Sequence, residues 1–166
     1  MAVSKYDYLR NFRFVVEIEI GGVMTPVAGF TRVTGLRRGT DVIEHRAGDD
    51  DDKMHRLGGI VKYDPIVLEK GVVDSTENEG VTFLDWLAEW YPDKGVAEKD
   101  VVRNVNINVK DKKGTITRTY AVEEAWPSDM EISDLDSRSS DVIVERIILQ
   151  HDGFSIQGLT MPKKQL

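Results

Sequence analysis

The sequence predicts a mainly β fold: two packed antiparallel β-sheets, sandwich- or barrel-like, with one flanking α-helix. Three observations carry this reading. Apolar and polar residues alternate with a period of two over several stretches. Gly, Pro and Lys-Lys-Gly turn signals separate those stretches, and a single segment carries apolar residues at helical spacing. At 166 residues the chain suits one domain, because a chain of this size can bury roughly 68–70% of its unfolded surface. We read one domain over residues 1–158 and a C-terminal tail over 159–166.

The clearest strand is "NFRFVVEIEI", residues 11–20. It places Phe12, Phe14, Val16, Ile18 and Ile20 on one face, with Arg13, Glu17 and Glu19 on the other. Gly21-Gly22 reads as a tight hairpin turn into "VMTPVAGF". There Pro26 has no N–H to give a ladder and implies an edge or a bulge. Extended segments over 41–46 and 60–70 flank "HRAGDDDDKMHRLGG", which places the aspartates in a strand-to-strand connection, and Pro65 marks an irregularity in the outgoing strand.

The helix is "VTFLDWLAEWY", where Phe83, Trp86, Leu87 and Trp90 fall at i, i+3, i+4 and i+7. Thr82 with Asp85 resembles a capping box, and Pro92 stops the helix. A tryptophan stripe of this kind faces a core rather than a sugar. Next, "VVRNVNINV" sets Val102, Asn104, Asn106 and Asn108 against Val101, Val105, Ile107 and Val109. Lys112-Lys113-Gly114 then turns the chain into the Thr-rich strand "TITRTYAVEEAW", which makes a β-hairpin. In "DVIVERIILQ", Val142, Val144 and Ile148 share one face while Ile143, Ile147 and Leu149 share the other, so this strand is expected to be covered on both sides.

Composition excludes several functions. A net charge of -7 argues against sequence-independent nucleic-acid binding, which needs clustered Lys and Arg. With no Cys there are no disulfides, thiolate metal sites or thiol nucleophiles. The N-terminal "MAVSKYDYLRNFRF" lacks the apolar core of about 7–15 residues that a signal peptide needs. The protein is therefore expected to be made and kept in the cytoplasm unless a larger machine carries it out.

His45, His55 and His151 lack the spacing of a zinc site, and there is no Walker loop, dinucleotide fingerprint or nucleophile elbow. Catalysis, cofactors and metals are not expected. Asp49 to Asp52 are contiguous rather than alternating, so they repel one another instead of converging on a calcium ion. "DDDDK" also matches the target of a digestive activating protease used in cloning tags, but its place between two strands marks it as native.

Several segments in order resemble the tail tube family of contractile phages and related contractile injection systems. "NFRFVVEIEIGG" and "VAGFTRVTGL" resemble the family's opening hairpin and its GF-x-x-V-x-GL segment. "VIEHRAGDDDDKMHRLGGIVKYDPIVLEKGV" resembles the block IEYREG…RKLPG…KY-x-x-I-x-LKRG, with the aspartates in its variable middle. "FLDWL", "AEKDVVRNVNINVKDKKG" and "AWPSDMEISDLDSRSSDVIVERIILQHDGFS" resemble the family's helix, second hairpin and closing segment. Gly58-Gly59 replaces a common Leu-Pro-Gly turn, and "LTMPKKQL" is an addition.

The resemblance implies a non-catalytic structural protein. Hexameric rings would stack head-to-tail into a rigid hollow tube inside a contractile sheath, starting from a baseplate and hub and closed by tube-terminating proteins. The tube would conduct cargo, effector protein or phage DNA, without specific nucleic-acid binding. Assembly would occur in the bacterial cytoplasm, within a phage tail or a phage-tail-like particle. In the family the loop corresponding to 46–56 reaches toward the adjacent ring. Arg46, Asp49, Asp50, Asp51, Asp52, Lys53, His55 and Arg56 are thus the candidate ring-to-ring contact, and Asn104, Asn106 and Asn108 the candidate polar channel face. The alternative is a β-sandwich binding module that does not assemble; a hydrolase is the remote third.

Overall fold

The computed structural model describes residues 13–27, 30–45, 54–71, 85–86, 88–89, 101–138 and 140–157. Among the described residues ten strands follow one another: β1 (Phe14–Ile20), β2 (Val23–Val27), β3 (Phe30–Thr34), β4 (Arg38–His45), β5 (His55–Tyr63), β6 (Ile66–Gly71), β7 (Arg103–Lys110), β8 (Ile116–Ile132), β9 (Val144–Gln150) and β10 (Gly153–Ile156). The hydrogen-bonded order is β2-β1-β7-β8-β9-β6-β3, with β10 also on β8 and β4-β5 forming a separate pair. Every pairing is antiparallel.

The 17-residue β8 makes two layers from this path. Its first half pairs with β7 on one side and β10 on the other, and its second half, from Trp126, pairs with β9. The change of partner falls where Glu124 adopts a left-handed φ of 52°, between register shifts at Arg103/Val105 and Pro127/Asp129. Bulges of this kind bend a strand out of one sheet and into another. The first sheet is therefore β2-β1-β7-β8-β10 and the second is β8-β9-β6-β3.

Their inner faces share one core. Val16, Ile18, Val105, Ile107 and Val122 come from the first sheet, and Ile66, Leu68, Ile147 and Leu149 from the second. The alternation in β1 and β7 thus points as expected, with Glu17, Glu19, Asn104 and Asn106 on the outside. Gly21 and Gly22, at φ 58° and 82°, make the two-residue turn whose double positive φ suits a β-hairpin. Pro26 lies on an edge strand, since among the described strands β2 pairs only with β1. Flanking a two-residue turn, Val23, Thr25 and Val27 direct their polar groups toward β1, so the missing N–H of Pro26 faces the open edge and breaks no ladder bond.

Trp86 belongs to the core, as its spacing indicates: it is fully buried, and residues 85–86 and 88–89 are helical. Its indole Nε1–H donates to the Val101 carbonyl at 2.6 Å, and the Arg103 guanidinium lies 5.6 Å from the ring centroid while reaching Glu89 at 2.6 Å. Phe83, Leu87, Trp90 and the Thr82 cap lie outside the described residues. Trp86→Phe removes the donor, leaves a buried carbonyl unpaired and opens space in the core. Urea unfolding should show a loss of about 2–3 kcal/mol.

Four boundaries differ from the sequence reading. The strand expected over 60–70 is two strands, because the chain breaks at Asp64-Pro65 and β5 turns back to pair with β4. The strand expected to end near Trp126 continues to Ile132, since past Ala125 β8 pairs, among the described strands, only with β9, and an edge with a bulge accommodates Pro127. The extended segment expected over 41–46 begins earlier, at Arg38, because Arg38, Gly39 and Thr40 pair with Tyr63, Lys62 and Val61. β9 begins at Val144, leaving Asp141, Val142 and Ile143 exposed ahead of it. Ile147 and Leu149 do enter the core, but on the opposite face Val144 and Ile148 are only half-buried.

Candidate assembly surfaces

The β4-β5 hairpin departs most from an ordinary soluble surface. Among the described strands its two arms pair only with each other. Val42, Ile43, Leu57 and Ile60 are 62%, 54%, 57% and 74% exposed, which is far from core-like. Ile43 stands directly opposite Leu57, whereas Val42, opposite Gly58, points to the other face. Both faces therefore offer apolar side chains to solvent. Lys62–Asp41 at 2.8 Å and Arg56–Glu44 at 3.3 Å are partly exposed ion pairs that neutralise the flanks more than they stabilise them. An isolated two-stranded ribbon is marginally stable, and clustered exposed apolar residues mark interaction sites.

The root of this hairpin is clamped to the body. Gly35, at φ 89°, packs so tightly on Pro65 that a Cβ there would overlap the Pro65 carbonyl oxygen. The Arg37 guanidinium meets Asp64 at 3.4 Å, and the Asp64 N–H donates to the Arg37 carbonyl at 3.3 Å. From the other sheet side, His151 Nε2–H donates to the Asp64 carbonyl at 3.0 Å, which assigns the proton to Nε2 because a carbonyl only accepts. Tyr63 stacks in tilted and edge-on fashion with His151 and Phe154, and Gly153 leaves room for its ring. The ribbon leaves the fold at a fixed point where β5, β6, β9 and β10 meet.

A second exposed apolar group lies at the end of β8 and in the connection from it to β9. Ile132, Leu135 and Val142 are 55%, 75% and 68% exposed. The neck is closed by two bonds: the Ser133 N–H donates to the Val144 carbonyl at 2.9 Å, and the Val144 N–H donates to Ser133 Oγ at 3.0 Å. Inside it, Asp136 accepts from the Arg138 backbone N–H at 2.9 Å and from its guanidinium at 3.2 Å. Those two bonds hold the Asp136 carboxyl below the usual carboxylate range. A concavity of about 690 Å³ is lined by Leu135, Asp136, Asp141, Val142 and Ile143.

The outer face of the first sheet is polar. Asn104 is engaged at both ends of its amide: its Nδ2–H donates to Glu19 Oε2 at 2.6 Å, and its Oδ1 accepts the Glu124 N–H at 3.3 Å. It ties β1 to the kink in β8. Asn106 is half-exposed beside Glu17 and Ala121. Asn108 departs from the expected solvent-facing row, being only 3% exposed, and its Oδ1 accepts a 2.7 Å bond from Thr119 Oγ1–H. A buried amide keeps such a partner because losing it costs more than the bond stabilises. Around Asn104 and Asn106, Glu19, Glu123 and Asp152 make the shallow face acidic.

The candidate ring-to-ring residues are divided. His55 and Arg56 are in β5 rather than in a loop, opposite His45 and Glu44. Arg46, Asp49, Asp50, Asp51, Asp52 and Lys53 lie outside the described residues. Sequence reasoning attended to the charged tip and missed the apolar arms, whose signal was present: Val42-Ile43 and Leu57 with Ile60 flank the tip symmetrically. Among the described residues there is no group of His, Asp and Glu able to hold a metal, and no helix long and apolar enough to cross a membrane.

A two-sheet domain with a clamped apolar ribbon and a second exposed apolar loop is a protein built for assembly. Residues 10–155 match the family model of the T4-like virus tail tube protein gp19, and the chain belongs to that family. It is a structural tube protein. No curated protein sequence matches it. The fold is similar to that of a chain in the cryo-EM structure of the anti-feeding prophage (AFP) baseplate, 6-fold symmetrised, with 21% identity over 97% of this chain and 100% of that one and a TM-score of 0.72. It is also similar to chains of an extracellular contractile injection system, PVC. One is from the sheath-tube complex in the extended state, with 24% identity over 94% and 99% of the two chains and a TM-score of 0.72. Another is from the sheath/tube terminator, with 24% identity over 93% and 99% and a TM-score of 0.74.

Proposed function

We propose that the chain forms six-membered rings that stack head-to-tail into the rigid inner tube of a contractile particle, acting as conduit and puncturing shaft for cargo. The observation that carries this reading is the match of residues 10–155 to a tail tube family. The similar AFP chain comes from a six-fold baseplate, and the PVC chains from sheath-tube and terminator assemblies, which supports a sheath, a baseplate and hub, and a tube terminator as partners. The apolar ribbon supplies what such an assembly needs, a surface whose exposure in one copy is relieved by others.

In this reading residues 1–158 are the tube domain and 159–166 an appended tail. Assembly takes place in the bacterial cytoplasm, and the protein is not an enzyme and carries no cofactor. The acidic and amide face around Asn104 and Asn106 is the channel wall; Asn108 contributes to it as a buried pin rather than as a wet surface. Arg46, Asp49 to Asp52, Lys53, His55 and Arg56 form the contact to the adjacent ring, where opposite charges meet across a heterologous interface.

Negative-stain microscopy of the purified protein, alone and with its baseplate components, tests the whole reading. Tubes or rings are expected, and a protein that stays monomeric in both settings is instead a non-assembling β-sandwich binding module. Replacing Asp49 to Asp52 by Ser should shorten tubes and lower their resistance to salt without changing the unfolding midpoint. Unchanged tube length and salt resistance would remove the aspartates from the ring contact.

A further inference from the structure

We infer that the β7–β8 turn, residues 110–118, makes a second ring-to-ring contact, in which its lysines meet the acidic end of the first sheet of a copy in the adjacent ring. This rests on the tube reading and specifies its axial interface. Rings stacked head-to-tail bring one end of each subunit against the opposite end of the next, so the two ends must differ and be complementary.

The first sheet carries its charge in that way. Where β1 begins and β7 turns into β8, Arg13, Lys110, Lys112, Lys113 and Arg118 stand against Asp111, a net of +4. They form one patch. The Lys110 N–H donates to the Arg13 carbonyl at 2.8 Å, the Arg13 guanidinium donates to the Lys112 carbonyl at 2.7 Å, and Arg118 is opposite Val109. Lys112, Lys113 and Arg118 are exposed, and among the described residues Lys113 and Arg118 make no ion pair.

At the other end of the same strands Glu19, Glu123, Glu124 and Asp152 stand against Arg103, a net of −3. The Asp152 N–H donates to the Glu123 carbonyl at 3.2 Å, and the four carboxylates line a shallow recess of about 650 Å³. Arg103 is committed to Glu89 and to the face of Trp86. The recess is the rim of the acidic and amide wall, so Asn106 is left to face the lumen.

The segments that adjoin these ends along the chain do not reverse either sign. Lys5 and Arg10 against Asp7, with Lys163 and Lys164, add +3 to the first end. Asp93, Glu98 and Asp100 against Lys94 and Lys99 add −1 to the second. The whole of residues 38–63, rooted there at Asp64 and His151, adds another −1.

Arg13 and Glu19 are about 20 Å apart along an extended strand. That exceeds the screening length of about 8 Å at physiological salt, so one chain does not neutralise its own two patches. A second copy does. With a net charge of -7 the chain repels its copies in most orientations and opposes a nucleic acid at the lysines, whereas basic end on acidic end attracts. A single exposed ion pair contributes little, but every ring repeats the contact around its circumference.

Carbodiimide, which joins a lysine amine to a carboxylate in contact with it, tests the inference on the wild-type protein. Tubes should give a link from Lys112 or Lys113 to Glu123, Glu124 or Asp152, located by mass spectrometry and absent from monomers. Charge reversal is the second arm. Lys112→Glu with Lys113→Glu, and Glu123→Lys with Asp152→Lys, are all at exposed positions. Each pair should abolish tubes while leaving rings and the unfolding midpoint unchanged, and the two pairs combined should restore tubes. If the combined variant misfolds, the wild-type link decides. Wild-type tubes without the link overturn the inference and leave the tube reading standing, and a link present in single rings makes the contact lateral and overturns it too. Normal tubes from either reversed pair also overturn it, and loss of the sheath on such tubes would assign the patch to the sheath. Wild-type protein that forms no tubes with baseplate components overturns the tube reading and this contact with it.

Discussion

Gly35→Ala should destabilise the fold by about 4 kcal/mol, read as a lowered urea midpoint, because two costs of roughly 1–3 kcal/mol each coincide at one residue. The backbone there has φ 89°, which a residue with a Cβ adopts only under strain. The added methyl would overlap the Pro65 carbonyl and lie 3.0 Å from Ile66 Cα, and both are backbone atoms that no rotamer change can move aside. Gly21→Ala is the control. It has positive φ but nothing within 4 Å of its Cβ, so it should lose only the conformational part, about 1 kcal/mol. Equal losses at the two sites would show that the Gly35–Pro65 contact does not set the hairpin root.

Leu57→Glu should abolish ring and tube formation while leaving the monomer's unfolding midpoint within about 0.5 kcal/mol of the parent, as for other exposed sites. Leu57 is 57% exposed in the single chain, so the folded monomer has little to lose. If the assembly covers this exposed apolar ribbon, a carboxylate at position 57 would be buried there without a partner. An unpaired buried charge costs about 3–5 kcal/mol, and the cost recurs at every interface of a ring. Micrographs and sedimentation of the variant decide it; normal tubes from Leu57→Glu would show that the ribbon's apolar face stays in water.

Much of the fold was legible locally. The alternation in β1 and β7, the Gly21-Gly22 turn, the Lys112–Gly114 turn and the burial of Trp86 follow from period and turn chemistry, which act over a few residues. Asp111, whose carboxylate accepts the N–H groups of Lys113 at 2.8 Å and Thr115 at 2.9 Å, closes the second of those turns as an Asx turn does. The division of β8 between two sheets was not legible. Period-two alternation says which side of a strand is apolar, but not which neighbour takes each edge, and at Glu124 to Asp129 the pairing changes while the chain stays extended. Asn108 failed for a related reason. Its parity is that of Asn104 and Asn106, yet burial depends on what covers that part of the sheet, and the bond from Thr119 makes the buried position tolerable.

The candidate site divides in the same way. The aspartate run, its place between two strands and the ordered segments of a tail tube chain belong to the sequence itself, because charge, turn residues and motif order are properties of the chain before it folds. Only the tertiary structure decided that Val42, Ile43, Leu57 and Ile60 have no core to enter. As a sequence they resemble Ile66, Leu68, Ile147 and Leu149. Burial is a competition for a single interior, and the clamp at Gly35, Asp64 and His151 turns the first group outward while the second fills the space between the sheets. The apolar arms are visible in the sequence, but their exposure follows from the direction in which the ribbon leaves the fold, which the pattern of the strand alone does not decide.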